Sequence, residues 1–273
     1  MKFSVVTPCF NAASYIEETV ASIANQSAVR DGTANLEHII CDGGSTDGTL
    51  EILRRLEQPH MRISSQADGG MYDALARGLR QANGEVIAYL NAGDYYHPHA
   101  FSVVRNVLAA HPDCRWLTGY AIAYSESGAA VRFVLPYRYR QRLHRCGAYG
   151  RFLMSVQQES TFWKRELMAQ VDLERLSKLR LAGDYYLWRC FAETDELHIA
   201  SAQLGGYRIH AGQLSANRAG YSGEMRSLAD APGPLDYALV ALDKLLWHAP
   251  PSVKKMLNRR CLHLYDHHAG RWD

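Results

Sequence analysis

The first 110 residues alternate strand with helix four times, and that alternation fixes the fold class. "FSVVTP", "LEHIICD", "MRISSQ" and "EVIAYL" are mostly apolar runs of strand length. Between them, Ser14 and Glu17 form a capping box that predicts a helix to about Gln26. "GSTDGTLEILRRL" predicts a turn feeding a helix. Met71, Leu75 and Leu79 mark a third helix that stops at Asn83-Gly84. Pro98 predicts the start of a fourth, with Phe101, Val104 and Leu108 on one face. The alternation argues for an α/β fold with a mostly parallel central sheet and helices on both faces. Such sheets bind ligands at the carboxyl ends of their strands. Each run here ends in polar residues: Thr7, Pro8 and Asn11, then Asp42, then Asp68, then Asp94. Four separate segments thus converge on one rim.

Past residue 113 the pattern changes. "RWLTGYAIAY", "VRFVLPY", "LHIAS" and "LGGYRIH" read as strands, and "AGDYYLWRCFAE" reads as a helix. The run from Tyr137 to Arg145 interleaves aromatics and arginines and reads as a charged loop or short helix, either solvated or touching phosphate or membrane. From about Pro232 two helices follow, split by Pro250-Pro251. Leu235, Ala238, Leu239, Leu242, Leu245 and Leu246 share one helical face. Lys254, Lys255, Arg259, Arg260 and Arg271 outnumber Asp266 and Asp273 in the last stretch. This tail either packs on the domain or lies on an anionic membrane surface. The expected division is a domain over 1–231, in two halves (1–112 and 113–231), then a helical extension over 232–273.

Composition narrows the function. A formal net charge of +2 over 273 residues gives no basic field for nucleic acid. The six cysteines show no C-x-x-C pair and no zinc spacing, which suggests core thiols in a reducing compartment. No run of about 18 apolar residues exists to span a membrane. The N-terminus reads as a strand rather than a signal peptide, so the expected location is cytoplasmic.

Carboxylates crowded on a rim repel unless a cation or hydrogen-bond donors sit among them. Asp94 is therefore either a ligand to a divalent ion that also holds a diphosphate, or a turn residue or helix cap before Pro98. Asp184, at the start of "GDYYLWRCF", is either a helix cap or a carboxylate held at a helix N-terminus for chemistry.

"VVTPCFNAASYIEETVASI", "HIICDGGSTDGT", "QADGGMYDALARGLRQANGEVIAYLNAGD", "QQESTFWKR" and "AGDYYLW" occur in this order. Together they resemble family-two inverting glycosyltransferases of the GT-A fold, a Rossmann-like sandwich, over roughly residues 1 to 215. The resemblance implies transfer of a sugar from a nucleotide-diphosphate sugar to a hydroxyl of a saccharide, lipid-linked in the nearest subgroup, during capsule, exopolysaccharide or lipopolysaccharide synthesis. It implies Thr7, Pro8, Asp42, Asp68 and Asp73 at the nucleotide and Gln158, Glu159 and Trp163 at the donor or acceptor sugar. It also implies Asp184 as general base, and Asp94 with His210 at Mn²⁺ or Mg²⁺. Two departures stand out. Gly43 replaces the second carboxylate of the D-D-G-S pattern, and Asn91 and Gly93 leave Asp94 as the only carboxylate of the metal motif.

Two other readings compete. A sugar nucleotidyltransferase would want a glycine-rich basic loop after the first strand, and "TPCFNAASY" has neither glycine nor lysine. A binding module that has lost chemistry draws on the thinned metal motif, against the presence of both Asp94 and Asp184. Partners expected are a nucleotide-sugar donor, a saccharide acceptor and a peripheral contact with the inner face of the plasma membrane, with no nucleic acid.

Overall fold

A computed structural model describes residues 1–209 and 217–273. The first half runs β1 (Lys2–Cys9), α1 (Ile16–Ala24), α2 (Ser27–Arg30), β2 (Asn35–Asp42), α3 (Thr49–Arg55), β3 (Met61–Ser65), α4 (Met71–Gln81), β4 (Val86–Tyr89), β5 (Tyr95–Tyr96) and α5 (Ala100–Ala110). The second half runs β6 (Trp116–Thr118), β7 (Ala121–Tyr124), β8 (Ala130–Val134), α6 (Gln141–Arg145), β9 (Phe162–Lys164), α7 (Leu173–Ser177), α8 (Gly183–Phe191), β10 (His198–Ala200) and β11 (Gly205–Arg208). The chain closes with α9 (Arg218–Leu228), α10 (Pro234–Leu246), α11 (Pro251–Leu257), β12 (Leu262–His263), β13 (Tyr265–Asp266) and β14 (Arg271–Trp272).

Among the described residues, the central sheet has the order β12-β10-β6-β9-β4-β1-β2-β3, parallel except for β9, which is antiparallel to both neighbours. A smaller sheet, β5-β11-β7-β8, stands beside it. The first four strands are the four expected apolar runs; burial on both faces explains the continuous hydrophobicity of β1, β2 and β4, while β3, at the sheet edge, is buried only at Met61. Register then does the positioning. Cys9 pairs with Asp42, and Asp42 with Ser65, so the three strand ends reach one rim together. All six cysteines are buried and unpaired.

The structure corrects several local expectations. Ser14 and Glu17 do not cap α1. A turn through Ala12 delivers the chain so that Tyr15 takes the cap position, and Glu17 pairs with Arg55 at 2.8 Å. The basic run from Tyr137 to Arg145 is not a solvated loop. Tyr137 and Tyr139 are buried, while Arg138, Arg140 and Arg142 pair with Glu196, Asp243 and Asp236.

Those pairs turn α10 over. Its buried face carries Asp236, Val240, Asp243 and the adjoining Trp247, because the arginines around α6 need those carboxylates. Leu235, Leu242 and Leu245 face outward, Leu245 at 75% exposure. The expected cations are partly spent as well: Lys254 is buried against the Leu135 carbonyl, and Lys255 donates to the carbonyls of Leu262 and Asp273. The C-terminal part holds two helices, and its last residues add β12 to the central sheet. No helix among the described residues is long and apolar enough to cross a membrane.

Candidate active site

At the first part of the rim, Asp42 is fully buried and saturated with donors. It accepts from the backbone of Gly44 and Ser45 at 3.1 and 3.0 Å, from the Ser65 hydroxyl at 2.6 Å, and from the Ser45 hydroxyl. Burial pushes its pKa up, but the Ser45 and Ser65 hydrogen bonds outweigh that and hold it below the usual carboxylate range. Asn11, at φ 48°, crosses to this loop: its N–H donates to Ser45 Oγ and its side chain accepts from Thr46. The turn leaves Phe10 63% exposed on the rim.

Gly43 is explained by its neighbour. A Cβ there would stand 2.8 Å from Asp68 Oδ2, so the Asp68 carboxylate occupies the room a second acid would need. Asp68 accepts the Gly70 N–H at 2.8 Å and pairs with Arg77 at 3.3 Å. Asp73 accepts the Gly69 N–H at 2.9 Å.

Asp94 ends the turn after β4, buried at 8% exposure. Thr19 of α1 fixes that turn, accepting from Gly93 and donating to the Asp94 carbonyl. One carboxylate oxygen accepts the Arg208 N–H at 3.2 Å, the other the Gln158 amide at 3.4 Å. Burial drives its pKa up to about 7 even though the Arg208 amide and guanidinium pull it down. Glu159 beside it is buried with one carboxyl oxygen unpartnered, and burial together with the Asp94 charge keeps it well above the usual range. Buried oxygens of Asn91 and Gln158 also lack partners.

Asp184 is the second residue of α8, not its cap, and it is mostly enclosed. It accepts the Tyr185 N–H at 2.7 Å and lies within reach of the phenols of Tyr72 (3.4 Å) and Tyr221 (3.3 Å). Burial raises its pKa to about 6 against those hydrogen bonds. Tyr72 comes this close because residue 183 is glycine: a Cβ there would sit 2.4 Å from its ring.

The structure thus brings Asp94, Gln158 and Glu159 together, with the Asp184 charge close enough to raise Glu159 further. Two expected site residues are elsewhere. Trp163 is fully buried, packed on Tyr89, Trp188 and Phe191, with no face to offer a sugar. Thr7 is fully buried with its hydroxyl on His38 at 2.9 Å, so its side chain does not reach the rim. Pro8 lies on the same strand, also buried. His210 lies outside the described residues. Sequence reasoning missed Tyr72, Arg208, Tyr221 and Glu224. Tyr72 adjoins the singled-out Asp73, and the others carry no local signal.

Residues 4–148 match the family model described as glycosyl transferase family 2. The chain belongs to that family. It is 38% identical over 99 residues to the chondroitin synthase of Pasteurella multocida (strain Pm70), covering 36% of this chain and 10% of that one. The chain spans about half or less of the length of the curated relatives it matches. Among solved structures it resembles S. aureus TarS 1-349 in complex with UDP-GlcNAc, at 19% identity and TM-score 0.61, over 95% of this chain and 71% of that one. The mannosyltransferase PcManGT from Pyrobaculum calidifontis, in complex with GDP-Man and Mn²⁺, aligns at 19% identity and TM-score 0.61, over 94% and 73%. The fold is therefore that of GT-A glycosyltransferases.

Proposed function

We propose that this family-2 chain is an inverting, metal-dependent glycosyltransferase that moves a sugar from a nucleotide-diphosphate sugar to a saccharide hydroxyl in the synthesis of a surface polysaccharide. The observation that carries the reading is the group of Asp94, Glu159 and Asp184, enclosed on a strand-end rim with too few donors to hold their charge. Such acids are poised for a cation and for proton transfer. The structural neighbours in complex with UDP-GlcNAc and GDP-Man support a nucleotide-sugar donor.

On this reading Asp184 takes the acceptor proton. Its pKa near 6 leaves it ionised at neutral pH yet basic enough to accept. Its partial exposure leaves room for an acceptor hydroxyl. Asp42, Asp68 and Asp73 fix the loops against which the nucleotide lies, and the outward ring of Phe10 offers a base a stacking face. Asp94, together with the unpartnered oxygens of Asn91, Gln158 and Glu159, suits a hard divalent ion such as Mn²⁺ or Mg²⁺. His210 is proposed to join them. A bound ion would neutralise the leaving diphosphate. The other expected ligands are phosphate oxygens, because among the described residues no group of three His, Cys, Asp or Glu could hold a metal.

The outward leucines of α10 support peripheral membrane contact and a lipid-linked acceptor, reached from the cytoplasmic side. A panel of UDP-, GDP- and dTDP-sugars, with Mn²⁺ or with chelator, tests the donor and metal roles. The expected result is affinity for one nucleotide class that the chelator abolishes. Affinity unchanged by chelation would overturn the metal role of Asp94, and no binding to any nucleotide sugar would overturn the donor class.

A further inference from the structure

α8 begins badly by its own sequence. Its cap residue is Ala182, which has no side chain to satisfy the free N–H groups of a helix start. The segment that leads into α8, up to the cap residue itself, is held from another helix. The Glu224 carboxylate of α9 takes the backbone N–H groups of Arg180, Leu181 and Ala182 at 2.9, 2.7 and 2.6 Å. One turn earlier on α9, Tyr221 reaches Asp184 itself. The contacts of α9 concentrate here, since its only fully buried residue is Met225, which packs on Ala182 and Tyr185.

The two phenols around Asp184 are not equivalent. Tyr72 has one hydroxyl proton and two acceptors, the Leu181 carbonyl at 3.1 Å and Asp184 at 3.4 Å. Its proton is thus divided between a neutral carbonyl and the inner carboxylate oxygen that the Tyr185 N–H already binds. Tyr221 has Asp184 as its acceptor at 3.3 Å, on the oxygen opposite the one bound by the Tyr185 N–H. Tyr221 therefore decides how the outer carboxylate oxygen is held.

We propose that Tyr221 and Glu224 are positioning residues, through which α9 fixes the Asp184 carboxylate: Glu224 by anchoring the backbone that leads into α8, Tyr221 by orienting the carboxylate directly. Their kinetic effect rests on the reading of Asp184 as base, but the positioning itself can be measured without turnover.

The test uses Tyr221→Phe, Glu224→Gln and Glu224→Ala in the full chain, with Met225→Leu as a packing control. The Asp184 side chain is followed by carboxyl-carbon NMR in aspartate-labelled protein and assigned by its absence in Asp184→Asn. Removing a donor that favours the charged form raises the pKa. Tyr221→Phe should therefore move the Asp184 titration up by roughly half a pH unit or more. The acidic limb of the kcat profile should move with it, at unchanged donor affinity. Glu224→Ala should lower kcat roughly tenfold or more through misplacement of the base. Glu224→Gln, which keeps one acceptor oxygen, should recover part of the loss, and Met225→Leu should leave the titration in place. An Asp184 titration unmoved in Tyr221→Phe, or Glu224 variants with wild-type kcat, would overturn the proposal. If Asp184→Asn keeps its turnover, the base reading fails, while the titration still reports on positioning.

Discussion

Asp42 and Asp184 stand at the same rim and are provided for in opposite ways. Asp42 has more donors than it needs, from two backbone N–H groups and two serine hydroxyls. Asp184 has one backbone donor and two long phenol contacts. Burial pushes both carboxyls up, but the donors around Asp42 outweigh it and those around Asp184 do not, so one pKa is lowered and the other raised. A carboxylate saturated by its own loop is fixed in charge and serves the loop. A carboxylate left short can change its protonation and serve a reaction. Asp94 and Glu159 belong with Asp184.

The largest effect should come from removing the under-provided base. Asp184→Asn keeps the shape and the phenol contacts but cannot take a proton. Transfer should fall by roughly 10²- to 10⁴-fold, the usual worth of general base catalysis. Donor affinity should stay within about twofold, because the group acts in the transition state. Product formation in single-turnover assays checks this, and near-wild-type turnover would remove the distinction between the two acids.

The second comparison is in stability, where the two acids should differ in sign. Asp42→Ala strips the acceptor from four part-buried donors and should cost about 4 kcal/mol, at the low end of one to three per unsatisfied group. That is a fall of several degrees in Tm. Asp184→Asn should do the reverse at high pH. The pKa of Asp184 rises from an ordinary 3.8 unfolded to about 6 folded. Between those values the unfolded chain has released the proton and the native state still holds it. Stability from this group therefore drains as pH rises through that window and stays lost above it. The Asn variant should melt higher than wild type at pH 8 and equally at pH 3. For Asp42, with its lowered folded pKa, stability is present above the unfolded value and is lost as pH falls through the folded one. Thermal melts of both variants across pH decide the matter; parallel curves would mean the two sites are alike.

The range of the forces decides how much of the molecule was legible in its sequence. The alternation through α5 could be read because β1, β2 and β4 are buried on both faces and the long helices between them on one, a pattern written in consecutive residues. Asp42, Asp94 and Asp184 could be named because each closes or opens such an element. The protonation of Asp94 and Asp184 could not, because it depends on Arg208, Tyr72 and Tyr221, brought in from other elements. β9 and β12 were hidden by their shortness. The capping box at Ser14 failed because tertiary packing set the entry turn into α1. Gly43 looked like a loss in the motif, whereas in space it is a compensation by Asp68.

α10 repeats the contrast between provided and unprovided groups on the surface. Its acids are saturated inward: Arg140 grips Asp243 with two bonds of 2.9 Å, and Arg142 holds Asp236. Leu239 and Leu246 pack against the core, while Leu235, Leu242 and Leu245 are left exposed among the described residues. Periodicity puts those leucines on one helical face, either to pack on the domain or, with Lys254 and Lys255, to meet an anionic membrane. With both lysines tied inward, the smallest effect expected is also the most diagnostic. If an anionic membrane covers this face, binding should depend on Leu242 and Leu245 more than on salt, because few free cations remain beside it. Each leucine inserted contributes up to about 1.5–3 kcal/mol, and partial burial gives less. Leu242→Ser with Leu245→Ser should weaken sedimentation with phosphatidylglycerol vesicles by roughly tenfold. Raising the salt should matter less, since in this tail screening acts on the exposed Lys244, Arg259, Arg260 and Arg271. Vesicle binding that ignores the leucines and collapses in salt would return the contact to the basic residues. A dimer in solution that dissociates on the same two substitutions would give the face to a second copy of the chain.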